Sequence, residues 1–303
     1  MRLPGTVAAV ALWALAAHAQ PAPGRPAGGP YRHKILSATS ADGLAWTRDT
    51  GVRLEHASVP CAVATADRVF LYYVDADRGA GQSESVGCAI SRDGYYFEKQ
   101  PCVIHGMTAK KAVDPSVLRD ADGKFRLYYL ASSAPGDPAS APRDHEIHLA
   151  LSDDGIAFRN VGSAFTYPAL VDPDVFFFQS KWFLYVFART GTVIAQSDDG
   201  RAFQYRQVLD LPGWGTVAPV PLADGRLRLY AFEQRRGAGN AVRSFLSADG
   251  IHWTAEPGDR LLARDDEQIT DPFVVRWHGG YKMYFKVEER GPLPPGRPVP
   301  LDR

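Results

Sequence analysis

The chain has 303 residues, with 34 basic and 34 acidic side chains and no net charge. Its Lys and Arg are spread thinly, which excludes nucleic acid or an anionic membrane as the main partner, since both need a basic face. An aromatic share of 11 % suits a many-stranded protein and also suits sugar stacking.

In chain order, residues 1–19 read as a cleavable export signal. Arg2 supplies a positive start, residues 7–17 form an apolar run too short to cross a bilayer, and Ala17-His18-Ala19 is a small-x-small cleavage pattern. No later apolar run is long enough for a membrane anchor, so a secreted or periplasmic protein is expected. Residues 20–30 are a Pro/Ala/Gly tether and residues 291–303 a Pro-rich tail, which leaves 31–290 as the folded domain. Cys61, Cys88 and Cys102 lie in one short stretch; in an exported protein one disulfide and one leftover thiol is the simplest expectation.

The folded part repeats itself five times. Ser-x-Asp-Gly-x-x-aromatic occurs at Ser40/Asp42/Trp46, Ser91/Asp93/Phe97, Ser152/Asp154/Phe158, Ser197/Asp199/Phe203 and Ser247/Asp249/Trp253. Between these sites lies a second pattern, an x-Pro step followed by an apolar run, a tight turn and an aromatic run. Its members are Val59-Pro60, Asp114-Pro115, Asp172-Pro173, Ala218-Pro219 and Asp271-Pro272. Each unit reads as four short strands: one after x-Pro, one after the tight turn, one ending at the serine and one after the aromatic. Four-stranded units at this spacing predict an all-β fold, a five-bladed β-propeller. The N-terminal piece has only the last two strands of a unit and the C-terminal piece only the first two. Strands from both termini therefore close the fifth blade. The Ser-x-Asp-Gly turn is read as structural, with its aromatic packed between blades.

Strand order puts the long polar loops at one end of the ring, where function concentrates. The residue before each proline is expected at that mouth, near the axis: Val59, Asp114, Asp172, Ala218 and Asp271. Three aspartates converge there, with Asp174 two residues along from Asp172 on the same side. Carboxyls brought together raise one another's pKa, which is how acid and base roles arise. A plain role as caps of strand-entry amides is the alternative.

The segments "VDPSVLRDADGKFRLYYL", "VDPDVFFFQSKWFLYVF" and "TDPFVVRWHGGYKMYF", with the "LSDDGIAF"-type turns, resemble the five-bladed propeller clan of glycoside hydrolases. That clan includes families 43, 32 and 68, with family 130 a further relative. The resemblance implies glycosidic-bond chemistry in an axial funnel, with a base or nucleophile Asp on the first blade, an orienting Asp on the third and an acid Glu on the fourth. Asp172 matches the third position. Val59 stands at the first, and the fourth falls near Ala218, so two of the three carboxylates are absent from their expected places.

Asp114 as base, Asp172 as orienting group and Glu233 or Asp271 as proton donor is the catalytic set that these residues offer. Trp214 is a candidate stacking platform or a loop anchor, and Arg189, Arg235 and Arg236 are candidates for an anionic sugar or phosphate. Glu146, which shares a strand face with His148, is a further candidate acid or substrate contact. His56 and His105 precede the first two blades and are candidate acids or ligand contacts. Three readings follow: a glycoside hydrolase, a non-catalytic propeller that binds a glycan or small anionic ligand, or a metal site on Asp114, Asp172 and Asp271. No cofactor is expected for the first, and the chain is expected to act as a monomer.

Overall fold

The computed structural model describes residues 29–77, 83–132, 144–234 and 240–289. The expected export signal at 1–19, most of the expected tether, the expected C-terminal tail, Arg235 and Arg236 lie outside the described residues. Apart from one 3-10 turn at Gly29–Arg32, the regular elements are all strands, arranged in five sheets that are antiparallel but for one short parallel edge pair.

Blade I runs from the axis outward through Ala57–Ala64, Val69–Asp75, Ser85–Ser91 and Glu98–Gln100. Blade II uses Lys111–Arg119, Phe125–Ser132, Asp144–Ser152 and Ala157–Pro168, and blade III uses Val171–Phe178, Lys181–Ala188, Gly191–Ser197 and Gln204–Val208. Blade IV is built from Trp214–Pro221, Leu227–Glu233, Ala241–Ser247 and the short pieces Thr254–Ala255 and Leu261–Leu262. In blade V the C-terminal strands Glu267–Trp277 and Gly280–Glu289 join the N-terminal strand His33–Ser40, which carries Thr47–Arg48 and Leu54–Glu55 on its outer side. His33–Ser40 pairs with Gly280–Glu289 over its whole length, so the two ends of the chain zip the ring shut as expected. The first strands of successive blades touch in a closed cycle around the axis.

The repeated turn has the same bonding in all five copies. In the first, Ser40 Oγ accepts the Gly43 N–H at 2.9 Å and donates to Asp42, whose Oδ1 accepts the N–H groups of Leu44 and Ala45 at 2.8 and 2.9 Å. Those N–H donors hold the Asp42 carboxyl down to about 2.

A tyrosine on the second strand of each blade then fastens that turn to its neighbour. Tyr72 donates to the Gly155 carbonyl (2.8 Å), Tyr128 to Gly200 (2.6 Å), Tyr230 to Gly43 (2.8 Å) and Tyr284 to Gly94 (3.2 Å), with Tyr185 bonded likewise to Gly250. Each tyrosine ring also meets the turn's aromatic edge-on, at centroid distances from 5.6 to 6.5 Å. Five such latches run around the ring. At Gly155 an added Cβ would lie 2.8 Å from the Tyr72 hydroxyl, at a φ of +77°, so glycine is required twice over.

Tyr128→Phe removes one latch bond and leaves the Gly200 carbonyl buried without its donor. We expect a loss of about 1–2 kcal/mol, read as a melting temperature lower by about 3–6 °C. A shift under one degree would show that the ring packing alone carries the contact.

Three expectations are corrected here. The x-Pro steps lie inside the innermost strands, not ahead of them: proline has no N–H for the ladder, and the register skips beside it in blades I, II, III and V. His105 does not reach the mouth of the axis. Val103–His105 pairs in parallel with Ala157–Pro168 on the outer edge of blade II, which puts His105, exposed, at the far side from the innermost strand. The cysteines are all free thiols. Cys61 and Cys88 stand on either side of Tyr72 in one row of blade I, two strand spacings or about 9–10 Å apart, beyond the span of a disulfide.

Candidate functional site

The strand-two tyrosines index the axis. The residue opposite each is Cys61, Ser116, Asp174, Ala218 or Phe273, and these five form one ring of positions. Two residues earlier on each innermost strand stand Val59, Asp114, Asp172, Thr216 and Asp271, which form the ring above, nearer the long loops. Ala218 therefore belongs to the lower ring, and Thr216 takes the fourth place of the upper one. Blade IV's ladder skips at Thr216, whereas its x-Pro step comes two residues later. Four upper-ring residues, Val59, Asp114, Asp172 and Asp271, hold φ between 46° and 52°, a left-handed conformation that costs a side-chain-bearing residue about 1–3 kcal/mol.

Asp114, Asp172 and Asp271 do converge. Burial, then the charge of Asp114, then that of Asp271 push the Asp172 carboxyl well above the usual range; Lys286 and the Thr216 hydroxyl, 3.5 Å away, oppose this in part. Burial and like charge thus favour the protonated form of Asp172. Directly below, Asp174 is 8 % exposed and is likewise pushed up by burial, against the bonds that it accepts from Ser116 and the Val175 N–H.

Sequence reasoning missed Lys286. In the other blades its register position, opposite the residue before the bulge, is held by Val74, Leu130, Phe187 and Phe232. A lysine in an apolar place, on a strand that faces three aspartates, was the available signal. Its Nζ lies 2.6 Å from Oδ2 of Asp271, which is 4 % exposed. Burial opposes the charge on Lys286, but Asp271, Asp172 and Asp114 together hold its pKa above the ordinary value. His33, from the closing N-terminal strand, was also missed. Its Nδ1 lies 3.0 Å from Ser58 Oγ, and burial, helped by Lys286 and resisted by Asp271, pulls it down to about 4. His33 is therefore a neutral imidazole at pH 7.

The remaining candidates lie off the axis. Trp214 packs edge-on to Phe245 at 5.4 Å and carries the Arg243 guanidinium 5.6 Å from its ring, so it anchors the body of blade IV. Glu233 stands opposite Trp214 in register and acts on the same Arg243. Glu146 accepts a bond from His148 Nε2 at 2.8 Å on the third strand of blade II. Arg189 is exposed at a two-residue turn of blade III. Among the described residues, no group of three or more His, Cys, Asp or Glu is placed to hold a metal ion; the cation against the axial aspartates is Lys286.

No protein-family model matches the sequence, and no curated protein matches it. Solved structures do match in fold. One is an α-L-arabinofuranosidase of glycoside hydrolase family 43 from Clostridium thermocellum, with a TM-score of 0.57 at 18 % identity over 76 % of this chain and 81 % of that one. A family 117 glycoside hydrolase from Zobellia galactanivorans gives 0.53 at 14 %, over 86 % and 91 % of the two chains. A family 32 β-fructofuranosidase from Bombyx mori gives 0.56 at 13 %, over 88 % of this chain and 59 % of that one. The protein thus shares the five-bladed propeller fold of these glycoside hydrolases.

Proposed function

We propose that the protein is an exported carbohydrate-active enzyme that hydrolyses a glycosidic bond at the mouth of the axis. One observation carries this reading: of three convergent aspartates, Asp271 is held by Lys286, which leaves Asp172, its carboxyl pushed well above the usual range, beside Asp114. That is the asymmetry that glycoside hydrolysis needs. Asp172 gives its proton to the leaving oxygen as the bond breaks. Asp114 takes the proton of the attacking water, or attacks the anomeric carbon itself, according to the separation of the pair around bound sugar. The fold of the neighbouring hydrolases supports the substrate class, and the signal-like residues 1–19 support export.

The test is reducing-sugar release from a broad oligosaccharide panel by the mature protein and by Asp114→Asn. Release that falls by about 100-fold or more in the variant is expected. No release from any substrate, together with saturable sugar binding, would move the assignment to a non-catalytic propeller, a reading that Val59 and Thr216 at two of the five upper positions favour.

A further inference from the structure

The first two strands of the blades end at unequal heights above the upper ring, and their registers measure the difference. Above Asp271 in blade V stand four ladder pairs, from Thr270 opposite Lys286 to Glu267 opposite Glu289. Above Asp114 in blade II stand three, from Val113 opposite Leu130 to Lys111 opposite Ser132. Blades I and IV each have two, Ser58–Val74 with Ala57–Asp75 and Gly215–Phe232 with Trp214–Glu233. Both are capped by one more backbone bond, from the Ala76 N–H to His56 and from the Gln234 N–H to Gly213. In blade III a single pair, Val171 opposite Phe187, stands above Asp172, and strand two then turns back at once through Arg189 and Thr190. At about 3.3 Å per residue, the ladder rises roughly 13 Å above Asp271 but only about 3 Å above Asp172. The mouth is bevelled, and its low side is the blade that carries Asp172.

The side chains on this low side suit a sugar. Val171 and Phe187 are half-buried, and Arg189 and Thr190 are exposed at the turn beyond them. Phe187 holds the register place from which Lys286 reaches the axis in blade V. At the same place Val74 and Leu130 are buried in the core, whereas the Phe187 ring stays partly open. An open aromatic ring followed by a guanidinium and a hydroxyl offers an apolar face and hydrogen-bond donors together, which is what a pyranose or furanose ring presents in return.

A general acid protonates the oxygen of the leaving group, so that group lies on the acid's side of the breaking bond. We propose that the leaving group extends outward over blade III, its first sugar against Phe187 and the next past Arg189 and Thr190. The specificity that follows is for a long leaving group. The low edge lets a chain pass outward, while the tall ladder of blade V, across the axis, bounds the sugar on the other side of the bond. This placement rests on the reading of Asp172 as the acid.

The experiment lengthens the turn. Inserting about eight Gly and Ser residues between Arg189 and Thr190 extends an exposed hairpin tip, where added length costs little stability. kcat/KM is compared for an aryl glycoside and for an oligosaccharide with the same sugar at the cleaved bond and several sugars on the leaving side. The insertion should lower the oligosaccharide value by about 10-fold and hold the aryl glycoside within about two-fold. Arg189→Ala, a change at an exposed side chain, should shift the same ratio in the same direction by about three-fold. Equal changes on both substrates, or no change on either, overturn the proposal. Calorimetric titration of parent and insertion variant with the oligosaccharide panel reads the subsite without turnover. Affinity that grows with chain length in the parent and not in the variant supports it. Growth that is equal in both overturns it and leaves the hydrolase reading standing. Growth confined to the parent, with no sugar release, keeps the blade III subsite and removes the hydrolase reading alone; neither binding nor release removes both.

Discussion

Asp172→Asn is expected to lower hydrolysis by about 100- to 10,000-fold and, at neutral pH, to raise the melting temperature. The two effects have one cause. Burial, with Asp114 and Asp271 nearby, makes the folded protein hold the Asp172 proton far more tightly than an unfolded chain does. A carboxyl raised in this way gives its full contribution to stability below the unfolded value of about 3.9. That contribution is lost as the pH rises through the folded value. Asparagine has no proton to lose, so parent and variant should melt alike near pH 3 and separate above it, with the variant the more stable. Each pH unit of difference between the folded and unfolded carboxyl is worth about 1.4 kcal/mol, or about 2–4 °C for a chain of this size. A variant that melts lower than the parent at pH 7 would mean that Asp172 is stabilised there as an anion, and the acid would have to be sought elsewhere.

The repeat was legible because its chemistry is local. Ser, Asp and Gly of the turn bond within six residues of one another, so every copy must carry them in the same order. Asp114, Asp172 and Asp271 were legible for a related reason, since proline marks the bulge that turns them to the axis. Blade IV misled because Pro219 sits two residues out of phase, and only the pairing of Ala218 with Tyr230 reveals Thr216 as the upper-ring residue. The tyrosines at 72, 128, 185, 230 and 284 were a better ruler than the prolines, being tied to the neighbouring turn in every blade. His33 was hidden for a different reason: it meets the axial groups only across the closure that joins the two ends of the chain, and no local pattern carries that information. Lys286 lies beside Asp271 in the C-terminal hairpin, where a charge at a position that the other blades fill with apolar side chains was the signal. Trp214 and His105 show the converse: position in a loop or ahead of a blade does not say whether a side chain turns toward the axis or outward.

Lys286→Met should be the most destabilising single change at the axis. Methionine keeps most of the side-chain length in a place that other blades fill with Val74, Leu130, Phe187 and Phe232, so packing alone predicts little loss. What it removes is the cation 2.6 Å from the buried Asp271 carboxylate. Taking one partner from a buried ion pair typically destabilises by about 3–5 kcal/mol, here a fall in melting temperature on the order of 10 °C. Lys286→Met combined with Asp271→Asn leaves no buried charge and should recover most of the loss. If the single variant melts like the parent at pH 7, Asp271 is not dependent on its lysine, and the reason for setting it apart from the Asp114 and Asp172 pair disappears. If the single falls and the double recovers, the lysine is what divides three like carboxyls into one structural group and one working pair.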